Sequence, residues 1–479
     1  MTLIKSISGI RGTIGGAPGE GLTPIDIVKF SYAYCKWLTG RGHAAEGRYK
    51  VVVGRDARLS GSMVEDLVCG TLVSCGVDVI NAGLASTPTT EMAVILSGAD
   101  GGIILTASHN PKQWNALKLL NEKGEFLTAE QGNRILELAE SGDFEFATVD
   151  KLGKVTEHDF TDAHLDAVTA LEAVDAAAIR KASFKVVLDA VNSVGGIIMP
   201  ELLERLGVEC ICINCEPTGD FVHNPEPLPA NLTGLSEAVV RYGADLGISV
   251  DPDVDRLAFI CETGEPFVEE YTLVSIADYL LRREEERGVR GMATVSNLSS
   301  SRALRDVTES HGGVWYPAAV GEVNVTTRMH EVGALIGGEG NGGVIYPAIH
   351  SGRDAMVGVA LFLSNLAGLG ISASALKASL PQYFIAKNRI ELDDPRLTDL
   401  ILDAAKTAFP GGKVNTVDGV KIDFDDRREW IHFRRSNTEP VIRIYSEAMT
   451  VERAEELGGV AVSLANSIIR QCSVSVRHP

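Results

Sequence analysis

The 479-residue sequence lacks any run of about 18 consecutive apolar residues, and its first residues lack the apolar core of a secretion signal. We therefore expect no membrane-spanning helix and predict a cytoplasmic location. Positive charge is also scarce, because 44 Lys and Arg stand against 64 Asp and Glu, for a formal net charge of −20. This balance argues against polyanionic partners, so neither a nucleic acid nor a membrane is expected to bind.

Paired cysteines at the spacing of a zinc site are missing as well. Eight cysteines are present, and only Cys210, Cys212 and Cys215 cluster, in the apolar segment VECICINC. The alternation of this segment favours a strand. We expect reduced thiols, most of them buried as small apolar side chains, and no metal bound at the cluster.

A chain of this length is too long for one hydrophobic core, and roughly 100–200 residues per domain predicts three or four domains. One pattern occurs three times, in residues 50–83, 185–214 and 292–321: a β-branched run, a polar turn, a helix-period stretch and a second apolar run. This pattern is typical of a βαβ unit. It predicts three α/β domains with parallel strands, whose ligands bind at the carboxyl ends of the strands.

The pattern changes after about residue 385, where strands follow strands and helices flank them. Such an arrangement is typical of a smaller α+β domain. The expected boundaries are therefore 1–155, 156–265 and 266–380 for the α/β domains and 381–479 for the α+β domain.

Ser108 follows the apolar run 103–105 in GGIILTASHNP, so it lies at the predicted carboxyl end of a strand, and Pro111 helps to fix the next turn. The serine is either structural or a nucleophile, and the absence of a G-x-S-x-G elbow argues against acyl chemistry. His109 and Lys118 are candidates for proton transfer, although Lys118 is as easily explained as a solvated charge on a helix. A phosphorylated Ser108 would carry close to two negative charges and would require a cation nearby.

Three carboxylates, Asp251, Asp253 and Asp255, occupy every second position after an apolar strand in ISVDPDVDR. In an extended loop such residues share one face, and two charges about 4 Å apart repel by roughly 4 kcal/mol at an effective dielectric constant of 20. This favours a Mg²⁺ site, with a solvated acidic turn as the alternative. An EF-hand is excluded by Arg256, which stands where that loop needs Gly. Arg256 could instead hold a phosphate.

The glycine-rich segment LIGGEGNGG, residues 335–343, presents Glu339 and Asn341. A carboxylate beside an amide suits the hydroxyl groups of a sugar, and the glycines allow close backbone approach. A flexible hairpin without binding function is the alternative.

A second polar segment concentrates cations and hydroxyl groups in an otherwise acidic chain. Guanidinium groups with hydroxyl and backbone donors fit a phosphate dianion. The residues are Arg434, Arg435, Ser436, Asn437, Thr438 and Arg443.

These four motifs, in this order, resemble those of the α-D-phosphohexomutase superfamily over essentially the whole chain. The resemblance implies three related α/β domains and an α+β domain around one central cleft. It also implies a phosphoserine at Ser108, which would share one Mg²⁺ with Asp251, Asp253 and Asp255.

The same resemblance assigns the remaining site residues. Lys118 and Arg256 would be catalytic neighbours of Ser108, and Arg11 in SGIRG would face the phosphate. Glu339 and Asn341 would bind sugar hydroxyl groups. The clamp for the non-reacting phosphate would comprise Arg434, Ser436, Asn437, Thr438 and Arg443.

The sequence departs from the superfamily pattern at four positions. Ala116 follows Asn115 where Gly is common, and Pro252 replaces the Gly of a DGD metal loop. Asn341 and Gly343 stand where Ser and His are frequent. These differences bear on the choice of sugar more than on phosphoryl chemistry.

By resemblance, the activity would be that of an isomerase, a mutase that interconverts hexose 6-phosphate and hexose 1-phosphate. A hexose bisphosphate would be its intermediate and activator, and the enzyme would be a monomer or homodimer. Glucosamine phosphate is the first expectation for the substrate, and mannose or glucose phosphate the second. Two rivals remain: a haloacid-dehalogenase-like phosphatase with Asp251 as nucleophile, and a non-catalytic protein that binds sugar phosphates.

Overall fold

The computed structural model describes residues 1–6, 9–42, 47–392, 394, 396–436 and 441–475, with side chains as far as residue 472. The chain forms two compact units. One comprises Met1–Leu280 with Leu335–Lys377, and the other Leu281–Ala334 with the chain from Ala378 onward. Each unit has a hydrophobic core of its own.

The first stretch of the chain forms a seven-stranded mixed sheet in the order β1-β2-β6-β5-β3-β4-β7. Its elements are β1 (Leu3–Ser6), β2 (Gly9–Thr13), α1 (Pro24–Thr39), β3 (Lys50–Arg55), α2 (Gly61–Ser74), β4 (Asp78–Leu84), α3 (Thr87–Ser97), β5 (Gly101–Leu105), β6 (Trp114–Leu120), α4 (Ala129–Ser141) and β7 (Val155–Glu157). Alternate side chains of β3 enter different clusters, Val51 and Val53 in one and Val52 in the other. Both faces of the central strands are therefore buried, which explains their continuous apolar sequence.

A four-stranded sheet follows in the order β11-β10-β8-β9. The elements are α5 (Thr161–Thr169), α6 (Ala176–Ala182), β8 (Lys185–Asp189), α7 (Gly195–Arg205), β9 (Glu209–Ile213), α8 (Thr233–Tyr242), β10 (Leu246–Val250) and β11 (Leu257–Cys261). β8 is parallel to both β9 and β10, whereas β11 returns antiparallel to β10. The loop between β10 and β11 carries the three aspartates.

The next stretch contains α9 (Glu269–Glu286), β12 (Ala293–Asn297), α10 (Ala303–Ser310), β13 (Val314–Ala318), α11 (Glu322–Val332), β14 (Ile336–Glu339), β15 (Gly343–Ile345), α12 (Ala355–Leu369) and α13 (Ala373–Ser379). β12 and β13 are parallel. β14 and β15 form an antiparallel hairpin around the glycine-rich segment.

The last stretch forms a five-stranded antiparallel sheet in the order β16-β20-β19-β18-β17. Its elements are β16 (Phe384–Glu391), α14 (Arg396–Ala408), β17 (Lys413–Asn415), β18 (Val420–Phe424), β19 (Glu429–Arg435), β20 (Val441–Ala448) and α15 (Val451–Ser475). Ile401 of α14 and Ala461 of α15 share one core cluster with Ile422 and Ile431 of the sheet. Both helices therefore contribute to the core of this sheet.

The architecture confirms the predicted fold class. Each of the three repeated segments is a strand, a helix and a parallel strand, and the C-terminal stretch combines an antiparallel sheet with helices. Among the described helices, none taken singly has the length and apolar composition to cross a membrane. Only the bent pair α12 and α13 together meets those criteria, and α12 is largely buried.

The prediction that most cysteines are buried is wrong. All eight are free, but only Cys35, Cys69 and Cys261 are buried. β9 is an edge strand, so Cys210 is only partly buried and Cys212 is exposed.

Candidate active site

The Ser108 loop begins where β5 ends and adopts an unusual backbone conformation. Ser108 has φ 49° and is 3% exposed. Its N–H donates to Thr106 Oγ1 at 2.9 Å, and the Thr106 hydroxyl donates to Asp56 Oδ2 at 2.6 Å. A left-handed non-glycine residue costs of order 1–3 kcal/mol, so surrounding contacts must hold it.

Arg58 supplies one of those contacts and also holds the neighbouring backbone at Trp114. Its guanidinium donates to the carbonyl oxygens of Ser108 at 2.8 Å and Trp114 at 2.5 Å. Arg58 also pairs with Asp56 at 2.8 Å, and both side chains have no exposed area. The strand β3 delivers this pair to the same sheet edge as Ser108, because β3 and β5 are parallel neighbours.

The loop that carries the three aspartates, residues 251–256, is called the metal loop below. It folds as a tight turn, and the prediction of an extended loop is wrong. Val254 has φ 62°, and Asp251 Oδ1 accepts hydrogen bonds from the N–H groups of Asp255 at 3.2 Å and Arg256 at 3.1 Å. The turn satisfies the buried Asp251 carboxylate, because it brings these two backbone amides to within hydrogen-bond distance of Oδ1. The three carboxylates still converge, with one oxygen from each within 4.8 Å of the others.

Ser108 and this loop meet in the first unit. The Ser108 hydroxyl donates to Asp251 Oδ2 at 2.7 Å, although the residues are 143 positions apart in the chain. The three aspartates have no exposed surface. A serine oxygen therefore points at the acidic cluster inside a site closed to bulk water.

Three side-chain donors hold the Oδ2 atoms of the other two aspartates, Asp253 and Asp255. Asp253 Oδ2 accepts from Lys118 Nζ and from Thr87 Oγ1, both at 2.7 Å. Asp255 Oδ2 accepts from Arg353 Nη2 at 2.7 Å. The helical alternative for Lys118 is wrong, because Lys118 lies on β6 opposite β5 and is 5% exposed.

The remaining oxygens of the cluster are suited to a cation. Asp253 Oδ1 and Asp255 Oδ1 are buried, and neither makes a hydrogen bond within the described part of the chain. Burial and the charges of Asp253 and Asp255 raise the pKa of Asp251 well above its usual value. Buried hard oxygen ligands without a hydrogen-bond donor fit a divalent ion such as Mg²⁺.

Positive charge surrounds the Ser108 loop on its other side. Arg11 donates to Asn110 Oδ1 at 2.8 Å, and burial together with the nearby Arg256 charge lowers the pKa of Arg11. The influence of one buried guanidinium charge on the other favours an anion near both. His109 Nδ1 lies 3.4 Å from Ser108 Oγ, and burial followed by the Arg256 charge lowers the pKa of His109 well below its usual value.

The sugar-loop candidates lie in the same unit and connect to the metal loop. Arg353 bridges the two loops, since its Nη1 donates to Glu339 Oε2 at 3.1 Å and its Nη2 to Asp255. Asn341 Oδ1 accepts from the Gly343 N–H at 3.1 Å. The glycine-rich segment is thus a hairpin, a shape that fits both interpretations of it, and Arg353 links its Glu339 to Asp255 of the acidic cluster.

The phosphate-clamp candidates lie in the second unit. Arg434 and Arg443 face each other across β19 and β20, and Arg434 Nε lies 3.3 Å from Asp418 Oδ2. Ser436 is buried at the end of β19, while Arg435 is exposed and pairs with Asp399. Asn437 and Thr438 lie outside the described residues.

Sequence reasoning missed Arg353, Thr87 and the Arg58–Asp56 pair. The Arg58 signal was available, since the segment DAR, residues 56–58, directly follows the carboxyl end of the buried strand β3. Thr87 and Arg353 gave no local signal, because Thr87 is the first residue of α3, Arg353 precedes the N-cap of α12, and each reaches the aspartates only through the tertiary fold.

Comparison with known proteins agrees with this geometry. The family models for phosphoglucomutase/phosphomannomutase match four times, as α/β/α domains I, II and III over residues 3–146, 162–264 and 269–384 and as the C-terminal domain over residues 389–459. A "Phosphoglucomutase/phosphomannomutase" of Thermococcus kodakarensis is 36% identical, with 96% of this chain and 99% of the relative covered.

Two further proteins extend the comparison. A "Probable phosphoglucosamine mutase" of Methanopyrus kandleri is 33% identical over 98% of each chain. The crystal structure of a phosphoglucomutase/phosphomannomutase family protein from Burkholderia thailandensis superposes with a TM-score of 0.82 at 25% identity, covering 97% of each chain. These matches favour neither a haloacid-dehalogenase-like phosphatase nor a non-catalytic binding protein. The chain belongs to the phosphoglucomutase/phosphomannomutase family of the α-D-phosphohexomutase superfamily, and it is accordingly a phosphohexomutase, an isomerase.

Proposed function

We propose that the chain interconverts hexose 6-phosphate and hexose 1-phosphate through a phosphoserine at Ser108 and a sugar bisphosphate. The observation that carries this proposal is the 2.7 Å contact of the Ser108 hydroxyl with Asp251 inside a buried acidic cluster. Phosphoryl transfer requires positioning and charge neutralisation more than covalent chemistry from the protein, and this site offers both.

The chain's own residues divide the work. Ser108 carries the phosphoryl group, and Arg58 holds the serine backbone so that Oγ faces the cluster. Asp251, Asp253 and Asp255, with the phosphorylated Ser108, hold one Mg²⁺. When bound, that ion neutralises charge on the transferring group. Arg256 and Arg11 orient the phosphate oxygens.

Proton transfer falls to His109 or Lys118. His109 is neutral at pH 7 because its pKa is lowered, so its ring can accept a proton from a hydroxyl group. Burial opposes the charge of Lys118, but Asp253 and Asp255 outweigh it and raise its pKa, so Lys118 stays charged. We therefore assign the proton to His109 and the stabilisation of the developing charge to Lys118.

Recognition of the sugar and of its second phosphate completes the proposal. Glu339 and Asn341 bind the sugar hydroxyl groups. Arg434, Ser436, Asn437, Thr438 and Arg443 grip the non-reacting phosphate. We retain the domain boundaries 1–155, 156–265, 266–380 and 381–479 around one cleft, a monomer or homodimer, and a cytoplasmic location as parts of this proposal.

Glucosamine phosphate is the proposed substrate, with mannose and glucose phosphates as second choices. Support comes from relatives named as phosphoglucosamine mutases and from the carboxylate of Glu339, which suits an ammonium group as well as hydroxyl groups. The test is a panel of glucosamine, mannose and glucose 1-phosphates, assayed with Mg²⁺ and a trace of the matching bisphosphate. Turnover of glucosamine 1-phosphate at least tenfold faster in kcat/KM supports the choice, and a preference for either other sugar rejects it.

Replacement of Ser108 tests the chemistry itself. Ser108→Ala should lower turnover of every sugar at least about 10³-fold, since it removes the hydroxyl group that contacts Asp251 and is proposed to carry the phosphoryl group. Ser97→Ala is the matched control, because the Ser97 hydroxyl bonds only to a carbonyl of its own helix. Activity that survives in Ser108→Ala would reject the phosphoserine.

A further inference from the structure

A buried polar cluster lies in the first unit beside the candidate site, and no catalytic role so far described uses it. His164 Nε2 lies 2.9 Å and His350 Nε2 3.2 Å from the same oxygen, Asp354 Oδ2. His164 has no exposed area, Asp354 is 1% exposed and His350 is 5% exposed. Burying three such groups is costly unless each is hydrogen-bonded, so the cluster requires an explanation.

Hydrogen bonds account for every polar atom of Asp354. Its Oδ1 accepts from the N–H groups of Met356 at 2.8 Å and Val357 at 3.2 Å, which caps α12. Its Oδ2 accepts from both histidines. Burial lowers the pKa of His350, but hydrogen bonds to Asp354 and Glu91 outweigh this and raise it to about 10. Asp354 is therefore fixed from both oxygens at once.

The cluster is connected to the metal loop in two ways, of which the first is the peptide bond between Arg353 and Asp354. Arg353 precedes Asp354 directly, and its guanidinium spans Asp255 and Glu339. Fixing Asp354 therefore fixes the backbone from which Arg353 reaches both loops.

The second connection between the cluster and the metal loop runs from His164 through α3. His164 Nδ1 lies 3.0 Å from Thr89 Oγ1, in the first turn of that helix. In the same turn, Thr87 donates from its N–H to the Asp253 carbonyl at 2.9 Å and from its hydroxyl to Asp253 Oδ2. His164 thus contacts both the helix whose Thr87 holds Asp253 and the aspartate that follows Arg353, the residue that holds Asp255.

We propose that His164 is a positioning residue, which through Asp354 and Thr89 fixes Arg353 and Thr87, two of the three donors that orient the carboxylates of Asp255 and Asp253. This inference rests on the proposed function only in taking those aspartates as metal ligands. Thr87 and Arg353 hold the Oδ2 atoms, which leaves the buried Oδ1 atoms without a hydrogen bond among the described residues. Without His164 both carboxylates are held less firmly and the preformed ligand set is weakened, although Lys118 still donates to Asp253 Oδ2.

The test compares two substitutions that divide the contacts of His164. His164→Gln places an amide near the position of Nε2 and retains a donor for Asp354, whereas His164→Asn places its amide near Nδ1 and retains only the Thr89 side. Mn²⁺ serves as the probe, with its affinity measured by electron paramagnetic resonance of the free ion. We expect affinity within about threefold of wild type for His164→Gln and about tenfold weaker for His164→Asn. The value of kcat should follow the affinity at limiting metal.

Ser364→Ala is the control for general destabilisation, because Ser364 is buried in α12 and accepts a hydrogen bond from the Asp175 N–H away from the site. It should lower the melting temperature without changing Mn²⁺ affinity. Equal Mn²⁺ affinity in wild type and His164→Asn would overturn the proposal, as would a second tightly bound metal that is lost in His164→Gln. Because Mn²⁺ binding needs no sugar, a wild-type enzyme inactive on every hexose phosphate would reject the proposed function and leave this test intact.

Discussion

Single side chains in this molecule acquire their roles from partners far along the chain. Ser108 and the three aspartates could be selected from the sequence, since each follows an apolar strand and carries an unusual local pattern. The support given by Arg353, Thr87 and His164 could not be predicted, because their contacts with the aspartates and Asp354 join residues 98 to 190 positions apart. Local sequence patterns predict where a strand ends, whereas the contacts of a side chain with distant residues depend on tertiary packing.

Replacement of Arg58 should separate stability from activity. Arg58→Met leaves the fully buried Asp56 without its cation, so we expect a loss of about 3–5 kcal/mol in the free energy of unfolding, measured with urea. The double variant Asp56→Asn with Arg58→Met removes that unpaired charge and should recover much of the loss. Its turnover should stay low, because the Ser108 carbonyl remains unheld. Full activity in the double variant would contradict the role of Arg58.

Glu447 should make the second unit less stable as pH rises. It is fully buried, and burial raises its pKa to about 7 despite hydrogen bonds donated by the Arg302 N–H and Trp430 Nε1. The folded state therefore holds a proton that the unfolded chain releases near pH 4.5, and stability is lost between about pH 4.5 and 7. The loss relative to Glu447→Gln should reach about 3 kcal/mol.

Chemical unfolding at pH 5 and pH 7.5 measures this difference. Wild type and Glu447→Gln should be closest in stability at pH 5, with the variant gaining on the wild type at pH 7.5. A gap that stays constant between the two pH values would show that Glu447 does not titrate in this range.

At the scale of elements, the sequence predicted strands and helices better than loops. The three βαβ repeats and the antiparallel C-terminal strands were all apparent from apolar periodicity. The metal loop was expected to be extended, but the two amide donors to Asp251 close it into a turn. Lys118 was ambiguous because β6 is a short strand buried on both faces, which periodicity alone does not distinguish from a helix.

The glycine-rich hairpin offers a sharp test of close backbone approach. Gly342 has φ 86°, and a Cβ there would lie 2.1 Å from the Leu257 carbonyl oxygen. Gly411 has nearly the same φ of 85° but open space around it. Gly411→Ala should cost about 1–2 kcal/mol from backbone strain alone. Gly342→Ala should cost about 1–3 kcal/mol more and should also reduce turnover.

Unfolding midpoints and kcat of the two glycine variants provide the comparison. Equal losses of stability would mean that the hairpin adjusts without displacing Leu257. Turnover should change only in Gly342→Ala, since Gly411 lies in a turn before β17 and not in the hairpin that carries the proposed sugar residues.

At the scale of the whole molecule, metal binding should stabilise the first of the two compact units. All three aspartates and Ser108 belong to the first unit. An ion at 100 times its dissociation constant stabilises the state that binds it by about 2.7 kcal/mol. Mg²⁺ should therefore slow amide hydrogen exchange in residues 101–120 and 246–261.

Peptides from β18 to β20 are the internal reference, since these strands contribute none of the proposed metal ligands. Chelation followed by addition of Mg²⁺ should restore both the protection and the turnover. Slower exchange in β18 to β20 alone would contradict the assignment of the metal to the aspartates.

The contacts that the glycine-rich hairpin makes with β11 and the metal loop also limit how this enzyme could be redesigned. Leu257 donates its N–H to the Gly342 carbonyl at 3.1 Å, and Arg353 links Glu339 to Asp255. A hairpin transplanted from another mutase would arrive without the backbone partner and the arginine that fit this metal loop. Engineers seeking a new sugar preference would need to exchange residues 251–257 and 336–353 as one cassette.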